Sequence, residues 1–184
     1  MNDTFKKKSV KKYLGIDPGL GKTGYALMEY DGVNYHHIEH GVIETNKNMP
    51  SGKRLIKIYR EIKKIIAQYL PDEAAIETLY FTKNSKSAMP VAQARGVIIF
   101  TLAEGEVDYY EYSPLQIKLA VVGNGKAEKR QVQEMVKLIC KLPEIPEPDH
   151  ASDALAIAIC HANYSFRNKQ NKQSNSQSWN IKQK

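Results

Sequence analysis

Hydrophobic and polar positions alternate in blocks along the first half of the chain, and these blocks predict three strands followed by a helix. Residues 13–17 form a short apolar run that ends at a Pro-Gly turn, and residues 23–30 continue with β-type residues up to an Asp-Gly turn. A third strand is expected at about residues 35–45. From residue 55 to residue 69, apolar side chains recur every three or four positions, which predicts a helix with one face on a sheet.

The second half of the chain continues with alternating strands and helices. Ser113 and Pro114 form a favourable helix start, because serine caps free N–H groups and proline suits the first helical position. The expected elements are a strand at 74–77, a helix at 91–102, a strand at 107–112, and helices from 114, at about 127–140 and at 149–163. This order predicts an α/β fold with a five-stranded mixed sheet and helices on both faces.

The length and composition of the chain indicate a single domain. With 184 residues, 42% of them hydrophobic and 26% charged, the chain can bury one ordinary core. We expect this domain at residues 13–164, between a basic flexible extension at 1–12 and a polar, basic, disordered tail at 165–184. No run of about 18 apolar residues is present to span a bilayer, and the lysine-rich start lacks the apolar stretch of a secretory signal. A cytoplasmic protein without membrane contact is therefore expected.

The charge balance favours a negatively charged partner. The formal net charge is +7, from 27 Lys and Arg against 20 Asp and Glu, and neutralising phosphates with such cations releases counterions. Part of the excess lies in the two ends of the chain, so charge alone does not decide the function. Cys140 and Cys160 do not form a metal-binding pair in the sequence, and we expect them to be buried, reduced thiols.

Acidic side chains occur at positions where apolar ones would serve stability better. Asp17 ends the first apolar strand and Glu77 ends the fourth, and a buried carboxylate is costly unless a cation or several donors balance it. His150 and Asp153 are three residues apart, so they project from one face of the first turn of the closing helix. Because the rest of that helix is small or apolar, this face must point toward the sheet. If the strand ends and the helix start meet, three carboxylates and one imidazole form a site for one or two divalent ions, which suits in-line phosphoryl displacement.

Each of these residues also has a simpler interpretation. Asp17 can be a turn residue before Pro-Gly, and Glu77 can be an exposed strand end. Asp149, His150 and Asp153 can be first-turn charges that favour the positive end of the helix dipole, and Asp149 is expected to be the cap. A metal site explains all of these positions at once, so we favour it over separate structural roles.

Five motifs occur in order along the chain. They are GIDPGLGKTG at 15–24, AIE at 75–77, QARG at 93–96, VVGNGKAEK at 121–129 and DHASDALAIA at 149–158. Together they closely resemble the RuvC family of bacterial Holliday-junction resolvases, over about residues 13–163. The resemblance implies an RNase H-like fold and a homodimer that makes paired symmetrical nicks across a four-way DNA junction in recombination and repair. It also implies two Mg²⁺ ions per active site and cooperation with the branch-migration proteins RuvA and RuvB.

Matched position by position, these motifs imply the catalytic residues and metal ligands, which are Asp17, Glu77, His150 and Asp153. Many members of the family carry an aspartate where His150 stands. A neutral imidazole leaves three formal negative charges in place of four and is a softer ligand, which suits Mn²⁺ better than Mg²⁺. We therefore expect that Mn²⁺ can replace Mg²⁺.

Basic and aromatic residues near the motifs are candidate DNA contacts. The basic candidates, which flank the loop at residues 123–125, are Lys118, Lys126, Lys129 and Arg130. The resemblance implies phosphate contacts for the three lysines, whereas a solvated helix face is the simpler alternative. For Tyr80 the resemblance implies stacking on an unpaired base at the crossover. Phe81 can serve the same purpose or belong to the core.

Histidines outside the motifs are expected to have no metal role. Strand alternation would put His36 and His40 on one face and His37 on the other, without an acidic group aligned with them, so surface positions are expected. His161, near the end of the closing helix, is expected to be structural or exposed.

Two other functions remain open on the sequence alone. Phosphate-binding ATPases and sugar kinases of the actin-like group carry an Asp-x-Gly-x-x-x-x-Gly motif like residues 17–24, although those enzymes clamp nucleotide between two related domains. A junction-binding protein without catalytic activity would keep the fold. Such a protein would gain nothing from clustered carboxylates beside a phosphate backbone.

Overall fold

The computed structural model describes residues 10–79 and 85–181, with side chains described for residues 10–79 and 88–166. Tyr80 and Phe81, the two aromatic candidates, lie outside the described residues. The elements in chain order are β1 (Lys11–Asp17), β2 (Lys22–Tyr30), β3 (Tyr35–Glu44), α1 (Ser51–Tyr69), β4 (Glu73–Glu77), α2 (Ser85–Glu104), β5 (Asp108–Tyr112), α3 (Pro114–Val122), α4 (Lys129–Ile139) and α5 (Asp149–Ile181).

The strands of the described residues form one mixed sheet with the order β3-β2-β1-β4-β5. β1, β2 and β3 pair antiparallel, whereas β4 pairs parallel with both β1 and β5. Parallel neighbours need a crossover connection, and α2 supplies it between β4 and β5. The prediction of a five-stranded mixed sheet is confirmed, and the fold is RNase H-like.

Helices cover both faces of the sheet. Alternate side chains of β1 point to opposite faces, and they enter two separate hydrophobic cores. Leu14 and Ile16 are fully buried on the face covered by α1 and α2, where they join Ile62. Tyr13 belongs to the core on the opposite face, together with Leu155 of α5. The helices α3, α4 and α5 complete this second core, so the predicted placement of helices on both faces is confirmed.

Two helices are longer than their sequence pattern predicted. α5 continues to Ile181, whereas the pattern placed its end at residue 163, because the polar residues that follow lack apolar periodicity. Residues 165–181 of the expected tail are therefore helical, while the limits of the domain stay a prediction. α2 begins at Ser85 rather than at residue 91 and includes Pro90, a residue type that usually interrupts a helix. Within residues 10–79 and 85–181, none of the helices combines the length and the apolar character that a membrane span requires.

Two glycines allow α5 to approach the sheet closely. A Cβ atom on Gly15 of β1 would lie 2.1 Å from the carbonyl oxygen of Ala154, and one on Gly24 of β2 would lie 1.9 Å from the carbonyl oxygen of His150. Both distances are far below the contact distance of about 3.5 Å between nonbonded heavy atoms. The first turns of α5 are therefore held against β1 and β2 at a separation that only glycine permits.

A buried polar network lies between α5 and the sheet. His161 is 1% exposed, and its Nδ1 lies 2.8 Å from the Tyr112 hydroxyl oxygen while its Nε2 lies 2.9 Å from Oε2 of Glu73. Lys11 forms an ion pair with the other oxygen of Glu73. Burial raises the pKa of Glu73, but the bonds from His161 and Lys11 outweigh it and lower the pKa to about 2. His161 is therefore a buried structural residue, which is one of its two predicted placements.

A β-bulge in β3 changes the placement of the neighbouring histidines. The pairing of β3 with β2 passes from His37 directly to Glu39, so Ile38 is an extra residue. This residue shifts the alternation, and Nε2 of His37 lies 2.7 Å from Nδ1 of His40. The prediction that His37 and His40 point to opposite faces is wrong, because a bulge is not visible in the hydrophobic pattern.

We expect Gly24→Ala to destabilise the protein by displacing the start of α5. Overpacking of this kind costs about 1–3 kcal/mol of unfolding free energy, and thermal unfolding would measure the fall in Tm. Gly52→Ala is a matched control, because a Cβ atom on Gly52 would have no heavy atom within 4 Å. A Gly24→Ala protein as stable as wild type would contradict the close approach of helix and strand.

Candidate metal centre

Asp17 and Glu77 reach one edge of the sheet because their strands run parallel. Ile16 of β1 lies opposite Ile76 of β4, and the next residue of each strand is the carboxylate. Both strands end at these residues. The carboxyl ends of parallel strands share one edge of a sheet, so the two carboxylates predicted from the sequence meet at the same place.

The first turn of α5 brings the imidazole and the third carboxylate to this edge. Nδ1 of His150 lies 2.7 Å from Oδ2 of Asp17. One ligand atom from each of Asp17, His150 and Asp153 lies within 4.8 Å of the other two. Ligands of a single Mg²⁺ lie at about 2.0–2.1 Å from the ion, so small side-chain shifts would let all three residues bind one ion.

Glu77 stands outside this group of three and borders a small cavity. The cavity has a volume of about 210 Å³, and its polar lining includes Glu77, Asp153, Lys118 and Lys129. Its apolar lining comes from α3, α4 and α5 and consists of Pro114, Ile117, Val132, Ala156 and Ile157. We call the edge of the sheet that carries Asp17, Glu77, His150 and Asp153 the acidic edge. It borders a cavity that is also lined by two lysines.

Burial and mutual repulsion favour the protonated forms of the carboxyls at this edge. Burial is the main cause of the raised pKa of Asp17; the bond from His150 opposes the rise, and the charge of Asp153 adds to it. The pKa of Glu77 is raised to about 7, first by burial and then by the charges of Asp17 and Asp153. Lys129 lowers both values in part. A divalent cation would oppose this repulsion and favour the ionised carboxylates.

The donor set fits a divalent metal ion. Asp17, Glu77 and Asp153 offer carboxylate oxygens, which suit Mg²⁺ and Mn²⁺, and His150 offers a ring nitrogen, which suits transition metals. Burial and the charges of Asp17 and Asp153 raise the pKa of Glu77, and the charge of Lys129 offsets this rise only in part. Such an arrangement suits Lewis-acid catalysis of a hydrolytic reaction.

Lys129 is in direct contact with this acidic edge. Its Nζ lies 3.2 Å from Oδ2 of Asp153 and 3.0 Å from Oδ2 of Asp149. The other oxygen of Asp149 accepts a hydrogen bond of 3.0 Å from Nε2 of Gln133. Asp149, which the sequence predicts to be the cap of α5, is instead its first helical residue, and its carboxylate bonds α4. Lys129 and Gln133 are four residues apart and therefore lie on the same face of α4. This spacing is the sequence feature from which a shared contact could have been predicted.

The other basic candidates differ in their distance from the acidic edge. Lys118 lines the cavity beside Glu77, whereas Lys126 is exposed on the loop before α4. Arg130 is paired with Glu134 at 2.8 Å and lines a separate cavity. The structure therefore brings Lys118 and Lys129 to the site, and DNA binding by all four basic residues stays a prediction.

Comparison with known proteins reveals relatives along most of the chain. A family model described as crossover junction endodeoxyribonuclease RuvC matches residues 13–161, a range that contains all four candidate ligands. The protein of that name from Treponema denticola is 53% identical over 150 residues, which are 82% of this chain and 84% of the relative. The one from Thermotoga maritima is 48% identical over 151 residues, which are 82% of this chain and 90% of the relative. Among solved structures, T. thermophilus RuvC in complex with a Holliday junction substrate matches with a TM-score of 0.83 and 31% identity, covering 86% of this chain and 96% of that one.

We expect Glu77→Gln to stabilise the metal-free protein at high pH. The pKa of Glu77 is about 7 in the folded protein against a reference value of 4.5, so its contribution to stability is present below pH 4.5 and is lost as the pH rises through about 7. In buffer that contains a metal chelator, the Tm of the variant should exceed that of wild type at pH 8. The difference should shrink as the pH falls toward 4.5.

Adding Mg²⁺ or Mn²⁺ at pH 8 should raise Tm of wild type more than that of Glu77→Gln, because the ion binds the ionised carboxylate. Glu144→Gln removes a charge from an exposed position and should behave as wild type in both respects. Identical Tm values for wild type and Glu77→Gln at pH 8, with and without metal, would contradict the electrostatic strain at this edge.

Proposed function

The chain belongs to the RuvC family of crossover junction endodeoxyribonucleases, and we propose that it resolves four-way (Holliday) DNA junctions in homologous recombination and repair. Its reaction is the paired, symmetrical hydrolysis of phosphodiester bonds. The observation that carries the proposal is the group formed by Asp17, His150 and Asp153, whose ligand atoms lie within 4.8 Å of one another, with Glu77 at the same edge. The relative from T. thermophilus, whose solved structure contains a Holliday junction, supports this choice of substrate.

The four residues at the acidic edge act as metal ligands in this proposal. A bound divalent ion supplies Lewis-acid chemistry, because it activates water as a nucleophile and stabilises the oxygens of the reacting phosphate. Asp17 and Glu77 end two neighbouring strands, and His150 and Asp153 lie on one helical turn. These groups lie on rigid elements, which would restrict the orientation of a bound phosphodiester.

We assign Mg²⁺ as the metal, with two ions in each active site and Mn²⁺ as a competent substitute. Asp17, His150 and Asp153 provide one close set of ligand atoms. Glu77 and Asp153 both border the adjacent cavity, and this supports the binding of a second ion on that side. The nitrogen of His150 supports the use of Mn²⁺, because imidazole prefers softer ions than Mg²⁺.

Lys118 and Lys129 are the proposed contacts for the phosphates nearest the reacting bond. Both line the cavity that Glu77 and Asp153 border, and the formal net charge of +7 favours a polyanionic substrate. Lys126 and Arg130 are proposed to hold the DNA farther from the metal ions. Tyr80 is proposed to stack on an unpaired base at the crossover, with Phe81 as the alternative.

A homodimer is proposed because symmetrical cuts across a junction require two active sites. The exposed side of α2 supports this assembly: Met89 and Phe100 are 61% and 62% exposed, and Gly96 has open space in front of it. Spacings of seven and four residues put these three positions on one helical stripe. RuvA and RuvB are the proposed protein partners, and the cytoplasm is the proposed location.

We expect Asp17→Asn to bind a synthetic four-way junction but not to cut it. Loss of an outer-shell partner of a metal typically costs about 10–100-fold in activity, so loss of a ligand should lower the cleavage rate at least about 100-fold. Removal of a negative charge beside the phosphates should leave the junction Kd unchanged or lower it. A gel-shift titration and a cleavage assay on the same junction measure both quantities.

Cleavage by Asp17→Asn at the wild-type rate would contradict the metal site. Binding of ATP by wild type, without cleavage of the junction, would revive the phosphate-binding ATPase. Tight junction binding without cleavage by wild type, in either metal, would indicate a binding protein without catalytic activity.

We expect His150→Asp to shift the metal preference toward Mg²⁺. The substitution replaces a nitrogen donor by a carboxylate, so the ratio of the cleavage rate in Mn²⁺ to that in Mg²⁺ should fall. His36→Asp makes the same change at a strand histidine whose side chain is 57% exposed, and it should leave the ratio unchanged. An unchanged ratio in His150→Asp would remove His150 from the set of ligands.

A further inference from the structure

Lys129 is held by two carboxylates, of which only one belongs to the proposed set of metal ligands. Its Nζ lies 3.2 Å from Oδ2 of Asp153 and 3.0 Å from Oδ2 of Asp149. Asp149 is not part of the group of ligand atoms within 4.8 Å of one another. A metal ion would therefore compete with Lys129 for Asp153 but not for Asp149.

A divalent ion bound by Asp153 would compete with the ammonium group of Lys129 for that carboxylate. Two cations on one carboxylate repel each other, and a divalent ion bound directly to the carboxylate has the greater charge. Metal binding would therefore weaken the contact between Lys129 and Asp153. Without a second anchor, a lysine whose side chain is 53% exposed would return to solvent, where it has many rotamers.

We propose that Asp149 is a positioning residue, which keeps Lys129 beside the acidic edge when divalent metal occupies Asp153. The proposal rests on the proposed nuclease function, and it assigns a role to a residue that the metal site itself does not need. Asp149 holds the lysine through Oδ2 and is itself held through Oδ1 by Nε2 of Gln133, at 3.0 Å. Gln133 is 8% exposed, so its amide is a fixed anchor within the packed interface of α4 and α5.

Asp149 also has a simpler electrostatic role, because it is the first residue of α5, where the helix dipole stabilises a negative charge. That role requires no contact with Lys129 or Gln133, whereas the Asp149 carboxylate bonds both side chains. A carboxylate near a DNA phosphate otherwise weakens binding, because it adds to the repulsion of the backbone. Asp149 compensates for this weaker binding, because it keeps Lys129 oriented toward the cavity that Glu77 and Asp153 border.

The test compares cleavage and binding by Asp149→Ala with wild type. The single-turnover cleavage rate of preformed junction complexes in saturating Mg²⁺ should fall about 10-fold or more, the usual range for a partner that orients an active-site group. The junction Kd, measured in Ca²⁺ or chelator, should stay unchanged or fall, because a negative charge is removed. A merely structural role would lower Tm without separating rate from binding.

Glu144→Ala is the matched control. Glu144 is exposed on the loop before α5, and its removal changes the net charge of this region by the same amount without touching Lys129. Its junction Kd should change in the same direction as that of Asp149→Ala, and its cleavage rate should stay at the wild-type value.

The double variant Lys129→Ala with Asp149→Ala shows whether Asp149 acts through the lysine. Its cleavage rate should equal that of Lys129→Ala alone, because a positioning residue has no effect once its target is removed. Additive losses, or a normal rate in Asp149→Ala, would overturn the proposal. Absence of junction cleavage by wild type would instead reject the nuclease function, so the two failures are distinguishable.

Discussion

The close approach of α5 to β1 and β2 is the constraint on which the candidate site depends. Gly15 and Gly24 leave no room for a side chain between strand and helix, where a Cβ atom would lie about 2 Å from the carbonyl oxygens of Ala154 and His150. β1 ends at Asp17, which pairs with Gly24 of β2, and α5 carries His150 and Asp153 in its first turn. The separation of backbone segments thus determines the separation of ligand atoms.

This packing creates an electrostatic cost that a cation offsets. The pKa of Glu77 is raised to about 7 and that of Asp17 is also raised, in both cases first by burial. Apolar residues at these positions would make a more stable edge. Lys129 balances part of the charge through Asp153, but it is one monovalent group on a flexible side chain. The same carboxylates that destabilise the metal-free fold are suited to bind divalent ions, so stability and function make opposite demands here.

The four candidate ligands could be predicted from the sequence because they interrupt strong patterns. Asp17 and Glu77 end apolar strands, and a carboxylate at such a place is unfavourable without a partner. Their meeting depends on the parallel pairing of β1 and β4, which the order of elements did not specify beyond a mixed sheet. Features that depend on tertiary contact were not predictable: the bulge at Ile38 joins His37 and His40, and the bond between Asp149 and Gln133 forms only because α4 packs beside α5. The end of α5 was also missed, since the polar residues after 163 carry no apolar stripe.

The most direct test is a crystal structure of the protein grown with Mn²⁺, with anomalous scattering used to locate the ion. We expect an anomalous peak in contact with Asp17, His150 and Asp153, whose ligand atoms already lie within 4.8 Å of one another. The peak should be lost in Asp17→Asn. A peak bound only to the His37 and His40 pair, or no peak beside Asp17, would contradict the account.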